Sequence, residues 1–159
     1  MKSMRRYHIH GASYSFVTVI TYAREPLLLI EPELFFKCWS APGLEAWVVL
    51  PDHFHVIVRL YGRTISDIMH SFKTKYSRRF RDKYRPGRVW QNRFWDHIIR
   101  DSDDLHRYLD YIHFNPVKHG LAASAADYGP SSFHKFVRSG QYELGWGGLE
   151  DVEDEGYGE

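Results

Sequence analysis

Residues 50–58 read Leu-Pro-Asp-His-Phe-His-Val-Ile-Val, an apolar run that carries two histidines one residue apart. The β-branched residues of this run predict a β-strand, in which alternate side chains leave the same face. His53 and His55 therefore project together, whereas Phe54 points the other way. Two imidazoles on one rigid face supply half of a metal site. The alternative is a pair of surface histidines on a half-exposed strand, which is the commoner origin of an isolated HxH motif.

The patterns around this strand predict an α+β fold. Thr64 can cap a long helix whose apolar stripe starts at Ile65, and a later helix should end near Asn115 because the residue before a proline disfavours helical geometry. In chain order we expect strand 14–22, helix 32–39, strands 44–50 and 53–60, helix 64–83, a strand from residue 94 and a helix from residue 102. The order β-α-β-β-α-β-α is that of a ferredoxin-like, four-stranded antiparallel sheet with helices packed on one side. The histidine strand is then central, and the last helix can lie across the sheet near it.

The composition indicates one folded domain. The chain has 159 residues, of which 43% are hydrophobic and 16% aromatic, enough for a proper core. We expect residues 1–149 to form this domain and residues 150–159 to be an acidic, disordered tail. The single Cys38 excludes an internal disulfide framework and a thiolate zinc cluster. Without an apolar run of membrane-spanning length or a signal-peptide core, the expected location is the cytoplasm, with no membrane partner.

The formal net charge of +1 conceals a basic domain. Six of the 20 acidic residues lie in the tail, so residues 1–149 hold 14 acidic residues against 21 basic ones, a net charge of +7. Eleven Lys and Arg residues fall between positions 63 and 100, against three Asp residues, and aromatic residues are interleaved with them. This pattern favours a polyanionic partner, and specifically nucleic acid. The alternative is a solvated basic helix face with core aromatics.

Tyr111 and Asn115 are four residues apart on the last predicted helix and therefore share one face. A phenol is a competent covalent nucleophile once its target phosphate is polarised by a metal. The carboxamide of Asn115 could complete a His-His-Asn set of ligands. An ordinary amphipathic tyrosine and a C-terminal cap before Pro116 are the alternatives. His113 is two residues from Tyr111 and points elsewhere on a helix, so it is not assigned as the base.

Three blocks of sequence, in this order, resemble the REP-associated tyrosine transposases of the HUH single-strand nuclease superfamily. They are Trp-Val-Val-Leu-Pro-Asp-His-Phe-His at 47–55, Val-Trp-Gln-Asn-Arg-Phe-Trp-Asp-His at 89–97, and Asp-Tyr-Ile-His-Phe-Asn-Pro-Val-Lys-His-Gly at 110–120. The resemblance covers roughly residues 5–146. It implies an HUH-type fold in which His53 and His55 bind metal, Tyr111 is the single catalytic tyrosine and Asn115 is the third ligand. It also implies a divalent ion, Mg²⁺ or Mn²⁺, and no ATP.

The implied reaction is the cutting of single-stranded DNA beside a folded hairpin, with a 5′-phosphotyrosine intermediate and a free 3′-hydroxyl. A single-stranded substrate accounts for both the basic residues, which would contact phosphates, and the aromatic ones, which would stack on unpaired bases. The predicted DNA-binding residues are Lys73, Lys75, Arg78, Arg79, Arg85, Arg88, Trp90, Gln91, Arg93 and Trp95. Helix 32–39 is shorter than expected for the family, and the acidic tail has no counterpart in it.

Two other functions fit parts of the sequence. The first is a regulator that binds hairpin DNA without cutting it, although such a protein has no need of the nucleophile at Tyr111. The second is a zinc-dependent hydrolase, for which a further strong ligand and a placed carboxylate base are missing. The sequence leaves open whether the protein is a monomer or a homodimer.

Overall fold

The fold is built on one antiparallel sheet. The computed structural model describes residues 12–148, so the predicted acidic tail, residues 150–159, lies outside the described residues. Its four strands have the spatial order β2-β3-β1-β4, and every neighbouring pair is antiparallel. The strands are β1 (Tyr14–Ile20), β2 (Leu44–Val49), β3 (His53–Arg59) and β4 (Trp95–Ile98). The predicted α+β fold is confirmed, with the histidine strand β3 inside the sheet.

Within the described residues, four α-helices accompany the sheet: α1 (Glu33–Cys38), α2 (Ile65–Lys83), α3 (Ser102–Lys118) and α4 (Phe133–Arg138). Helix α2 begins as predicted, because the Thr64 side chain accepts a hydrogen bond from the backbone N–H of Asp67 at 3.1 Å. The predicted apolar stripe of α2 is buried along its whole length. Within residues 12–148, no helix is both long enough and apolar enough to cross a membrane.

The helices cover both faces of the sheet, which corrects the prediction that they pack on one side. Helices α1 and α2 pack on the face that carries Val17 and Phe54, whereas α3 and α4 pack on the face that carries Phe16 and Ile57. The physical reason lies in the two central strands, where nearly every side chain on both faces is buried and most are apolar, so both faces need cover from water. The histidines are on the face covered by α3.

Helix α3 is longer than predicted, since it continues through Pro116 to Lys118. It begins after Asp101, whose carboxylate accepts the backbone N–H of Asp104 at 2.8 Å. Proline removes only one N–H donor here, within the last turn. The carbonyls of Asn115 and Pro116 still accept hydrogen bonds, at 3.0 and 2.8 Å, from the backbone beyond the helix. The rule that a helix ends before proline was therefore wrong by three residues.

Candidate active site

The two imidazoles of β3 lie together beneath α3. Their ring centroids are 4.9 Å apart, and both side chains are buried. The Tyr111 ring lies 5.2 Å from the ring of His55. Asn115 follows one helical turn later on α3 and is also buried. The structure therefore brings the predicted nucleophile against the histidine pair, on the face that the predicted helix register required.

Each imidazole is oriented by a polar neighbour through its Nδ1 atom. Thr18 Oγ1 lies 2.7 Å from Nδ1 of His55, and Asp52 Oδ1 lies 2.7 Å from Nδ1 of His53. With Nδ1 engaged, Nε2 is the nitrogen through which either ring would bind a metal. Burial disfavours the charged form of Asp52. The contacts with His53 and Arg24 outweigh it, however, and hold the pKa of this carboxyl below its ordinary value.

The sequence contains a signal for both of these orienting residues. Asp52 directly precedes His53, and Thr18 is a polar residue in an otherwise apolar strand face. Neither residue was predicted. The contact between Thr18 and His55 arises from the antiparallel register of β1 and β3, in which the two residues are direct partners.

The donor atoms at this site fit a hard or borderline divalent cation. Residues 12–148 contain no group of three or more His, Cys, Asp or Glu side chains that could hold a metal ion. A third protein ligand beside His53 and His55 would therefore be the amide of Asn115, whose Oδ1 atom is buried. Two imidazoles and one amide oxygen are neutral donors that can hold a divalent cation and leave positions for phosphate oxygens.

The side chains of Lys118 and His119, at the end of α3, lie beside the site. The ammonium group of Lys118 lies 5.2 Å from the centre of the Tyr111 ring and places a positive charge beside it. The ring of His119, just beyond the helix, lies 5.3 Å from the ring of His53. The sequence had left both residues without a role.

A buried polar network anchors α3 behind the tyrosine. His113 is fully buried, with its Nε2 atom 2.7 Å from Ser132 Oγ and its Nδ1 atom 3.2 Å from the Tyr142 hydroxyl. The Tyr142 hydroxyl donates a hydrogen bond to Asp110 Oδ1 at 2.9 Å, and Ser132 Oγ accepts one from the backbone N–H of Trp47 on β2 at 3.0 Å. Burial lowers the pKa of His113 to about 3. This histidine therefore holds the helix in place as a neutral group.

The predicted DNA-binding residues of α2 lie on the sheet face opposite Tyr111. Arg78 and Arg79 are exposed there. The ammonium of Lys75 donates to Ser40 Oγ at 2.8 Å, and that of Lys73 donates to the backbone oxygen of Gln91 at 2.8 Å. Burial lowers the pKa of Lys73. Lys73 thus tethers the segment after α2.

The segment after α2 crosses the end of the sheet where His53 lies. There the backbone of Tyr22 donates to Val89, and Thr21 donates to Asp52. Arg85 forms an ion pair with Glu25 at 2.6 Å. The guanidinium of Arg88 lies 4.6 Å from the Tyr22 ring centre and donates to the Trp90 backbone oxygen at 3.0 Å. Gln91 is partly buried, whereas Arg93 and Trp95 are exposed.

Trp90 is a core residue, which corrects the prediction that it stacks on DNA. It is only 5% exposed and packs against Phe54, Phe72 and Tyr76 at ring-centroid distances of 5.8, 6.0 and 5.1 Å. Its indole N–H donates to the Lys73 backbone oxygen at 3.2 Å. Because a base needs an accessible ring face, burial removes Trp90 from the candidate DNA site.

Comparison with known proteins relates the chain and its fold to a class of DNA transposases. A family model described as transposase IS200 like matches residues 41–113, a span that contains both the histidine pair and Tyr111. The REP-associated tyrosine transposase of Escherichia coli (strain K12) is 34% identical over 165 residues, covering 100% of this chain and 98% of the relative. A Haemophilus influenzae protein given the same family name is 41% identical over 120 residues, covering 68% of each chain.

A solved structure of a REP-associated tyrosine transposase bound to a REP hairpin superposes with a TM-score of 0.78. It is 31% identical, and the match covers 99% of this chain and 98% of that one. The chain belongs to the family of REP-associated tyrosine transposases, enzymes that cleave and join DNA. The resemblance found in the sequence is thereby confirmed.

Proposed function

We propose that the protein is a metal-dependent single-strand endonuclease and strand transferase that acts at hairpin-forming palindromic repeats. The observation that carries this proposal is the contact of the Tyr111 ring with His55, 5.2 Å between centroids, in a pair of imidazoles oriented through Nδ1. The hairpin in the related structure supports hairpin DNA as the substrate. In this proposal residues 1–149 form one catalytic domain that works in the cytoplasm, as a monomer or a homodimer.

The proposed chemistry is a transesterification. When bound by His53, His55 and Asn115, a divalent ion, Mg²⁺ or Mn²⁺, would polarise the scissile phosphate. The phenol oxygen of Tyr111 attacks phosphorus in line, and the bond from phosphorus to the 3′-oxygen breaks. The phenolic proton passes to water or a nearby base, while the 3′-oxygen is protonated to a free hydroxyl. Because the 5′-phosphotyrosine keeps the bond energy, a second 3′-hydroxyl can reverse the step and join strands.

The proposed DNA contacts form two groups. Lys75, Arg78 and Arg79 would bind phosphates on the α2 face, whereas the segment from Arg85 to Trp95 would bind DNA at the end of the sheet that carries His53. The second group comprises Arg85, Arg88, Gln91, Arg93 and Trp95. Lys73 is the weakest of the predicted phosphate ligands, since its ammonium is already used by the backbone of Gln91. DNA that reaches both groups must pass around the sheet, which suits a hairpin joined to a single strand.

The test is a search for the covalent intermediate. Purified protein is incubated with Mn²⁺ and single-stranded oligonucleotides that contain a hairpin, and the products are separated on a denaturing gel. We expect a protein–DNA adduct that Tyr111→Phe abolishes. Tyr108→Phe is the matched control, because Tyr108 is a buried tyrosine one turn earlier on α3 and should leave the adduct intact. An adduct that survives in Tyr111→Phe contradicts the assignment.

The second candidate is the non-cutting hairpin-binding regulator. The position of the basic α2 surface favours it, since DNA could bind there without reaching Tyr111 on the opposite face. The same experiment separates the two functions. Tight hairpin binding by the wild-type protein, with no adduct in the presence of Mn²⁺ or Mg²⁺, would establish the regulator instead.

A further inference from the structure

One exposed tryptophan lies on the same sheet face as the histidine pair. Of the five tryptophans, all within residues 12–148, Trp95 alone is exposed, at 49%. It opens the short edge strand β4. Trp95 is the direct cross-strand partner of Thr18, which is in turn the direct partner of His55. The three residues therefore form one row across three adjacent strands, on the face covered by α3.

Ring contacts fix the position of Trp95 relative to both halves of the active site. The buried ring of Phe16 lies 5.6 Å from Trp95, 5.5 Å from His55 and 5.7 Å from Tyr111. His97, two residues further along β4, presents its ring nearly parallel to the indole, at 7° and 6.2 Å. The His97 ring is itself held by Asp104 at 2.7 Å. A row of contacting rings thus links the tyrosine site to Trp95 and His97 at the edge of the sheet.

We propose that Trp95 and His97 form a stacking surface for one unpaired nucleobase of the DNA strand that Tyr111 cleaves. The inference rests on the proposed function and adds a base-binding position to it. Stacking on an aromatic ring tolerates any base, because every base has a π-face. Arg93 and Arg100 are exposed and flank β4; Arg93 supplies positive charge for the neighbouring phosphates, whereas Arg100 lies 3.6 Å from the carboxylate of Asp104.

The strand geometry locates this base relative to the cut. Neighbouring strands are about 4.8 Å apart, so Trp95, two strands from His55, is displaced from it by about 10 Å. A DNA strand advances about 3.4 Å per stacked nucleotide and further when it is extended. The stacked base therefore lies within about three nucleotides of the scissile phosphate.

The test combines protein variants with abasic DNA. The probe is a hairpin oligonucleotide whose cleavage position has been mapped with the wild-type protein, and its affinity is measured by fluorescence anisotropy without a divalent ion. Loss of one stacked base should weaken binding by about 5-fold to 150-fold in Trp95→Ala, and Trp95→Phe should restore most of it. Ile98→Ala is the matched control, because Ile98 is 53% exposed on the same strand but on the opposite face. Its affinity should equal that of the wild type.

Abasic substitution then identifies the base. Removing one base within three nucleotides of the cut should weaken binding by the wild type, whereas Trp95→Ala should be insensitive to the same removal. If Trp95→Ala binds like the wild type, or keeps the full abasic penalty, the inference is overturned. The inference is also overturned if sedimentation shows that Trp95→Ala separates a dimer without changing DNA affinity, since the surface would then hold a second copy of the chain.

The proposed function has its own readout in this experiment. A wild-type adduct together with an unaffected Trp95→Ala variant refutes the stacking surface and leaves the nuclease function standing. A wild type that neither binds the single-stranded probes nor forms an adduct refutes both.

Discussion

Acidification should destabilise the protein through His113, the buried histidine behind the tyrosine helix. Burial lowers the pKa of His113 to about 3, from an ordinary value of 6.5. A pKa that is lower in the folded state means that folding favours the neutral ring. The contribution of His113 is therefore complete above pH 6.5 and is lost as the pH falls from there toward 3. Each pH unit in that window costs about 1.4 kcal/mol, so the loss between pH 7.5 and pH 5 is about 2 kcal/mol.

Urea denaturation of the wild type and of His113→Gln, at pH 7.5 and at pH 5, measures this loss. The amide cannot titrate, so the free energy of unfolding of the wild type should fall by about 2 kcal/mol more than that of the variant. Asp52 and Asp104 do not interfere, because their pKa values are lowered and their contributions change only below about pH 4. Equal pH dependence in the two proteins would refute the assignment of His113 as a buried neutral anchor.

Two further substitutions test the metal site and the core. Asp52→Asn should weaken Mn²⁺ binding by about 10-fold to 100-fold, because Asp52 orients His53. Asp104→Asn is the control and should leave Mn²⁺ binding unchanged, because it disturbs a carboxylate–histidine pair of the same 2.7 Å length that lies away from the site. Isothermal titration calorimetry measures the Mn²⁺ affinity of both variants, and an equal loss of affinity in the two would contradict the orienting role of Asp52. Trp90→Ala should lower the free energy of unfolding by about 3–5 kcal/mol in urea denaturation, as expected for a core tryptophan. A stable Trp90→Ala variant that has lost DNA affinity would instead restore Trp90 to the DNA site.

Local patterns in the sequence predicted the parts of the fold and site that depend on residue spacing. The alternation of β3 placed His53 and His55 on one face, and the spacing of four placed Tyr111 and Asn115 on one side of a helix. The Thr64 cap and the apolar stripe located α2. In each case a period of 2 or 3.6 residues decides which way a side chain points, and that period is a property of the chain alone.

The remaining features depend on contacts between distant segments. Thr18 meets His55, 37 positions further along the chain, because of the antiparallel register between β1 and β3. Trp90 is buried because its segment folds back over α2 and β3, and nothing in the basic, aromatic pattern around it distinguishes a core ring from a stacking ring. The sheet face on which α3 packs likewise depends on contacts between distant segments. Periodicity shows that α3 has an apolar side without showing which surface receives it.

Strands β3 and β4 differ in how many strands they pair with, and this difference affects how the protein unfolds locally. Strand β3 is paired on both edges and covered on both faces, so amide exchange at His53 and His55 should require almost complete unfolding. Strand β4 has four residues and three exposed side chains, and among residues 12–148 it pairs with β1 alone, so it should open in much smaller fluctuations. Partial unfolding would therefore release β4 first, while the two imidazoles keep their native spacing until the central strands unfold.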